Sequence, residues 1–284
     1  MNLLSKSYVE KICKTYLFRI YLLSFHLIFK NATFELKGGI LIVRKKEFYC
    51  GYLWEKGSRE NNEDSIALWH LSKEKKDKIL AVVCDGIGGL PKGEEASSYV
   101  VRQLANWFMS EGYKMPLNKQ QRRIQQLCFQ LHEELKRYGK EQQIKLGTTM
   151  TCVLIHGKRL VWIHCGDCRF YLFNRKKVRI LTKEHQNEKG ELLQAIGVGQ
   201  WQILESKKRR IKNGDRFLIC SDGVYRHLQL QDVKKWAGKE ICSDEQANRM
   251  LRQLGEKKKY MGEKDNISAL YFGYGKREGK GKYL

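Results

Sequence analysis

Short apolar strand runs, two longer stretches with helical spacing, and acidic residues standing at the ends of strand runs together predict an α+β sandwich. The run Leu80-Ala81-Val82-Val83-Cys84 reads as a buried strand. It ends on Asp85, which is followed by the glycine-rich turn Gly86-Ile87-Gly88-Gly89. Phe217-Leu218-Ile219-Cys220 repeats the design before Ser221-Asp222-Gly223, and Asp265 stands just before a last apolar run at 267–272. A carboxylate at the end of a buried strand is costly unless something positive receives it. Three acids so placed look like oxygen ligands of a hard divalent cation.

Residues 1–46 differ from the rest and form an atypical apolar and basic segment. Tyr16 to Phe29 is apolar and aromatic, but Arg19 and His26 interrupt it, and it falls short of the about 20 residues that a membrane helix needs. No small-residue cleavage site follows it, as a signal peptide requires. The flanking Lys6, Lys11 and Lys14 would suit an interfacial anchor. The preferred expectation is that the segment is not part of the natural protein. Lys37-Gly38-Gly39 can be encoded as a ribosome-binding sequence, and Leu41 or Val43 can then be a start codon.

From Tyr49 onward, within an expected domain at 47–275, the order is strand, a polar turn from Gly57 to Asp64, a strand at 65–71, and the strand that ends on Asp85. Val100, Val101, Leu104, Trp107 and Phe108 recur at helical spacing, so a helix is expected from near Gly93 through Phe108. Ile124, Leu127, Cys128, Leu131 and Leu135 mark a second helix at about 118–140. Strands are expected at 149–155, 160–165, 169–174 and 178–181, separated by glycine and basic turns. After Gly214 come the strand that leads to Asp222, helices at 230–237 and 244–254, and the last strand at 267–272. Residues 276–284 read as a basic, frayed tail.

At 284 residues and 42% hydrophobic, the chain can bury a proper core, and its two prolines argue against long disordered linkers. A net charge of +23 suggests anionic partners. The densest basic runs, at 175–177, 207–210 and 257–259, are not interleaved with aromatic residues, so nucleic acid is not expected. A membrane partner is expected only if the N-terminal segment is real. Nine cysteines, several inside apolar runs (Cys84, Cys152, Cys220), suit a reduced, cytoplasmic protein. Cys165-Gly-Asp-Cys168 has no second pair at zinc-ribbon spacing, and the seven histidines show no metal-ligand spacing.

Six blocks in order resemble the metal-dependent serine/threonine protein phosphatase family (PP2C, or PPM) in its compact bacterial form. Arg59-x-x-Asn62-Glu63-Asp64 matches R-x-x-N-E-D, and Asp85-Gly-Ile-Gly-Gly89 with Gly93-Glu94 and Ala96-Ser97 matches D-G-M-G-G…G-E-x-A-S. Gly147-Thr148-Thr149 matches G-T-T, and Gly166-Asp167-Cys168-Arg169 matches G-D-S-R. Ser221-Asp222-Gly223 and Asp265-Asn266-Ile267-Ser268 complete the set, which spans Tyr49 to Tyr274.

The resemblance implies a four-layer αββα sandwich of two antiparallel sheets flanked by helix pairs, with a two-metal cleft at one edge. Carried over, Asp85 bridges two Mn²⁺ or Mg²⁺ ions, the Gly86 carbonyl binds one, and Asp222 and Asp265 bind the other. Glu63 and Asp64 hold metal-bound water, directly or from behind, and Arg59 grips the substrate phosphate. Two metals about 4 Å apart acidify a bridging water and support in-line displacement at phosphorus. The implied activity is hydrolysis of phosphoserine and phosphothreonine on proteins, opposing a cognate serine/threonine kinase that is itself an expected partner.

Departures from the pattern weigh against parts of this. The position of an acid that serves a third metal is Ile144, and a histidine that acts as general acid in some relatives is Ile87. The family's D-H reads Glu184-His185, and the flap, 183–202, is short, with R-A-L-G replaced by Gln194-Ala195-Ile196-Gly197. The alternative reading is a catalytically weak pseudophosphatase acting as a binding module. A partner-switching stress phosphatase ranks below it for want of a sensor domain, and nucleic-acid binding ranks last. Asp167 and Arg169 are expected to tie a hairpin rather than to catalyse; the C-x-x-C of Cys165 and Cys168 is read as coincidental, with an oxidation-sensitive Cys168 near the cleft ranked below that.

Overall fold

Strand β4 (Lys76–Asp85) is apolar on both faces because both faces are covered. Its Leu80, Val82 and Cys84 pack with helices α1 (Gly93–Ser110) and α2 (Leu117–Glu141). Its Ile79, Ala81 and Val83 point the other way, into a layer shared with a second sheet. The two-residue period of a strand produces the split. The computed structural model describes residues 17–23, 47–73, 76–174, 177–226 and 241–275.

The first sheet runs, in spatial order, β1 (Leu17–Leu23), β3 (Asp64–Lys73), β4, β5 (Met150–His156), β6 (Arg159–Cys165) and β9 (Glu205–Arg210). The second runs β2 (Glu47–Glu55), β11 (Ile267–Gly275), β10 (Asp215–Cys220), β7 (Arg169–Asn174) and β8 (Lys177–Ile180). All pairings are antiparallel. Between the sheets, Ile66, Leu68 and Val83 of one meet Phe217, Ile219 and Phe272 of the other. After β10 comes a single turn, α3 (Asp222–Tyr225), and the far face of the second sheet is covered by α4 (Asp244–Tyr260) through Ala247, Met250, Leu251 and Leu254. The layers are therefore helix, sheet, sheet, helix, as expected. On the second side α4 stands among the described residues; the helix expected at 230–237 and the tail at 276–284 lie outside them.

Two strands differ from the expectation. Glu205-Ser-Lys-Lys-Arg-Arg210 shows no apolar alternation, yet it forms β9 at the edge of the first sheet, where one side of the strand stays open and charged residues suit the position. Leu17–Leu23, inside the segment read as atypical, pairs with β3 at the opposite edge, Leu17 against Ser72. Residues 1–16 and 24–46 lie outside the described residues. The third basic run, 257–259, closes α4: acids stand in its first turn, lysines in its last, and the Ser243 hydroxyl caps it by accepting from Gln246 N.

Helix α4 lies so close to β2 that a Cβ on Gly51 would stand 2.7 Å from the Ala247 carbonyl carbon. Gly51→Val is therefore expected to lower stability by about 1–3 kcal/mol through overpacking, read as an earlier urea midpoint. A second prediction concerns pH. His164, on β6, accepts from Thr151 Oγ1 at 2.9 Å and donates through Nε2 to the Lys183 carbonyl at 3.1 Å, a neutral ring; burial pushes its pKa down to about 4. The unfolded chain takes up this proton below about 6.5 and the folded one only near the lower value, so stability is lost as pH falls through that window. Urea unfolding between pH 7 and 5 is expected to show the wild type losing stability relative to His164→Asn as pH falls, a difference in which the other titrating groups cancel.

Candidate active site

Strand ends place the acids. Asp64 opens β3 and Asp85 closes β4, and the two are direct partners across the ladder. In the second sheet β10 ends at Cys220, so Ser221 caps α3 and Asp222 begins it. Asp265 lies two residues before β11, the neighbour of β10. The turn after Asp222 must be glycine: a Cβ on Gly223 would stand 2.1 Å from the Asn266 carbonyl oxygen. All the residues expected at the site (Arg59, Glu63, Asp64, Asp85, Gly86, Asp222, Asp265) thus come to one edge of the sandwich.

Neutral side chains of the same motifs hold the frame. Asn266 accepts from Glu63 N at 2.8 Å and donates to the carbonyls of Lys56 and Asn61, which fastens the 56–63 turn against the start of β11. Asn62 accepts from Asp64 N at 3.0 Å. The Thr149 hydroxyl accepts from Asp85 N at 3.0 Å and the Thr148 hydroxyl donates to Asp85 O at 2.9 Å. Gly86 N donates to Glu63 O, and Ser97 of α1 donates to the same oxygen at 2.6 Å. Asp85 is therefore gripped by its main chain on both sides, which fixes the point from which its carboxylate extends.

The cluster carries more negative charge than it compensates. Burial pushes the Asp85 carboxyl well above the usual range, and the charges of Asp64, Asp222, Asp167 and Asp265 add to this. Burial raises Asp64 to about 7 against the hydrogen bond from Ser221. It raises Asp222 to about 7 against the attraction of Arg226. Glu63 is raised by burial too, with Arg59 opposing. Asp64 Oδ1 is buried without a hydrogen-bond partner. Such an oxygen is satisfied by a cation or by a bound water.

Two arginines answer part of that charge. Arg59 donates through Nε and Nη2 to both oxygens of Asp265, at 3.1 and 3.2 Å. Arg226, which the sequence reading missed, pairs with Asp222 and with Asp265, the latter at 3.1 Å. Its signal was its place four residues after Asp222, one turn on along the helix. Asp167 goes beyond the role expected for it. It accepts from Gln186 Nε2, and its carboxylate also gathers with the Asp85 carboxylate and Cys168 Sγ, all within 4.8 Å. Arg169 keeps the expected structural role, held by Glu184 at 2.7 Å and lying 3.8 Å over the Tyr225 ring.

The expectation of an oxidation-sensitive Cys168 is corrected. The residue is fully buried against the Thr149 hydroxyl, and burial pushes its thiol well above the ordinary value, which suppresses the reactive thiolate. Cys165 is likewise buried and free. Ile144, at the place of an acid in the resembled family, packs on the core beneath α2. The flap is stitched down at both ends: His185 N donates to Gly166 O, Ile196 bridges Thr148, and Gly197 N donates to His132 Nδ1.

Comparison with known proteins identifies the family and the fold. The profile of the protein phosphatase 2C family matches residues 56–257. The serine/threonine phosphatase stp of Listeria innocua is 24% identical over 234 residues, covering 75% of this chain and 90% of that protein. The serine/threonine protein phosphatase PstP of Mycobacterium tuberculosis is 28% identical over 188 residues, covering 58% of this chain and 34% of that one. The crystal structure of serine/threonine phosphatase Stp1 from Staphylococcus aureus superposes with a TM-score of 0.70 at 20% identity, covering 85% of this chain and 100% of that one. With its profile matched over most of its length and its fold shared, this chain belongs to the protein phosphatase 2C family.

Proposed function

We propose that this chain is a metal-dependent protein phosphatase that hydrolyses phosphoserine and phosphothreonine esters. The observation that carries the reading is the convergence of Asp64, Asp85, Asp222 and Asp265 with one buried oxygen of Asp64 unbonded. Carboxylates and a main-chain carbonyl, without imidazole, make a donor set for Mg²⁺ or Mn²⁺. In this reading Asp85, the carbonyl of Gly86, Asp222 and Asp265 hold two such ions, with Glu63 and Asp64 beside them, directly or through water. When bound, the ions supply Lewis acidity that acidifies water and offsets charge developing on the phosphoryl oxygens.

The chain's own residues bind and orient. Arg59, with a side chain 45% exposed, can turn its forked donors from Asp265 to a phosphate dianion. Thr148 and Thr149 keep Asp85 in register with the incoming phosphate. Ile87 offers no proton, so protonation of the leaving oxygen falls to water or to another group. Ile144, packed on the core, supplies no ligand for a third ion. The partners in this reading are phosphorylated proteins and the kinase that modifies them. Free cysteines among the described residues, seven of them buried, support a reducing, cytoplasmic setting. No helix among the described residues is long and apolar enough to cross a membrane.

A phosphothreonine peptide tests the reading. Turnover is expected with Mn²⁺ or Mg²⁺ and none with EDTA. Asp222→Asn should lower kcat/KM roughly 100-fold or more, since even losing a ligand's outer partner costs 10–100-fold. Wild-type protein that stays inert with both metals would overturn the proposal. Arg59→Lys keeps the charge and loses the fork, so its KM should rise about tenfold, the worth of one charge-assisted hydrogen bond; an unchanged KM would remove Arg59 from phosphate binding.

A further inference from the structure

Strand β6 connects two places of opposite charge. It ends at Cys165, two residues before Asp167 of the acid cluster, and starts at Arg159, on the wall of an open concavity of about 1170 Å³. Seven residues at about 3.4 Å each set the two roughly 20 Å apart. The concavity has an apolar floor that includes Leu117 and Val161, and a rim of Lys158, Arg159, Lys208 and Arg210. Among the described residues no carboxylate lines it.

The alternation of β9 builds this rim. Ser206 receives a hydrogen bond from Gln121 of α2, so Lys208 and Arg210 share that face, the one turned to the helix. Lys207 and Arg209 turn the other way and are paired, with Glu205 and Asp215. Lys158, Arg159, Lys208 and Arg210 form no ion pair among the described residues. Arg210 stands directly opposite Arg159 across the ladder, a like-charge pair that repels. Helix α2 begins at the same place with no acid in its first turn and no side-chain cap, so its positive end adds to the field. Charges on an edge strand also deter pairing between copies, but that role needs neither a concavity nor the cations of the neighbouring 158–159 turn.

We propose that this concavity is an exosite that binds an acidic stretch of the phosphoprotein substrate, apart from the phosphorylated residue. The proposal rests on the phosphatase reading above. Polypeptide fits better than nucleic acid: no aromatic ring but His156 lines the wall to stack bases, whereas the floor accepts an apolar side chain. On its outer side β9 has no strand partner among the described residues, so it can offer main-chain hydrogen bonds to an extended segment. An extended chain needs at least about six residues to cover the separation. The acidic run therefore lies at that distance or more from the phosphate.

The test uses the full chain and two sets of phosphothreonine peptides with one shared phosphosite. About eight residues away, on either side, they carry a run of Asp and Glu or the matching Asn and Gln. The acidic peptide is expected to show about tenfold higher kcat/KM, through KM, on one of the two sides. The double variant Lys208→Ser, Arg210→Ser should erase this preference. Arg137→Ser, Lys140→Ser, an equal charge change on an exposed part of α2, should keep it. Turnover of p-nitrophenyl phosphate should be the same in all three proteins. Equal kcat/KM for acidic and neutral peptides, or equal loss in both double variants, overturns the exosite and leaves only long-range attraction. If no substrate turns over, the phosphatase reading fails instead. Anisotropy of a labelled acidic peptide without phosphate then reads the exosite alone: binding lost only with Lys208 and Arg210 supports it, and equal binding by all three proteins overturns it. Tighter binding of a single-stranded oligonucleotide, lost in the same variant, also overturns it.

Discussion

The Ser221 hydroxyl donates to Asp64 Oδ2 at 2.8 Å while Ser268 N donates to the same hydroxyl at 3.1 Å and Ser221 N donates to the Ser268 carbonyl at 3.0 Å. Through this small knot the ends of β10 and β11 in one sheet are held to the start of β3 in the other. Side-chain packing between two sheets resists separation but tolerates sliding; directional hydrogen bonds at the edge set the relative position. Once Asp64 is fixed against Ser221, the ladder between β3 and β4 fixes Asp85, and α3 fixes Asp222. Trp54 Nε1, which donates to Asp64 O at 2.9 Å, holds the same point from β2. The geometry of the acid cluster is thus a property of the sandwich as a whole.

The cost of that arrangement is electrostatic. Carboxylates drawn from both sheets meet where solvent screening is weak, and each raises the others' affinity for protons. Arg59 and Arg226 relieve this in part, both on Asp265, yet each is about half exposed and shares its charge with water. Neither reaches the buried, unbonded oxygen of Asp64. A ligand that binds only the folded state stabilises it by mass action. Divalent cations in this pocket would therefore act on folding stability as well as on chemistry, because the charge they neutralise is present whether or not substrate is bound.

The architecture was readable because β4 and β10 end in the same way, with an apolar run, an acid and a glycine, and because the helical stripes of α1 and α2 are long. The expected site residues meet for the same reason: each sits at a strand end or in a turn whose motif is short and local. What escaped the reading lacks such a local signature. Arg226 looks like a surface charge until α3 turns it back onto Asp222. Strand β9 has no apolar alternation, since an edge strand of mostly charged residues buries little. Cys168 was read as oxidation-sensitive from its place near the cleft, but thiolate formation depends on solvent and charge around the sulfur: burial excludes the solvent, and the nearest charges, on Asp85 and Asp167, are negative. Ile144 had a negative meaning in sequence, a missing acid, and gains a positive one in the fold, as a side chain under α2.

The protein carries a net charge of +23 around a centre that concentrates acids. These opposite tendencies do not cancel, because they act at different distances. Within the cluster, a few ångströms of poorly screened space make each carboxylate sense the others, so cations are drawn to that point. At physiological ionic strength the Debye length is about 8 Å, well under the roughly 20 Å that β6 sets between the acids and the Arg159 rim. The basic rim therefore neither neutralises the carboxylates nor is neutralised by them. An anionic protein can be attracted by the outer surface while its phosphate is received by the inner site, and the arginine able to serve both, Arg59, stands at the boundary with its side chain partly in water.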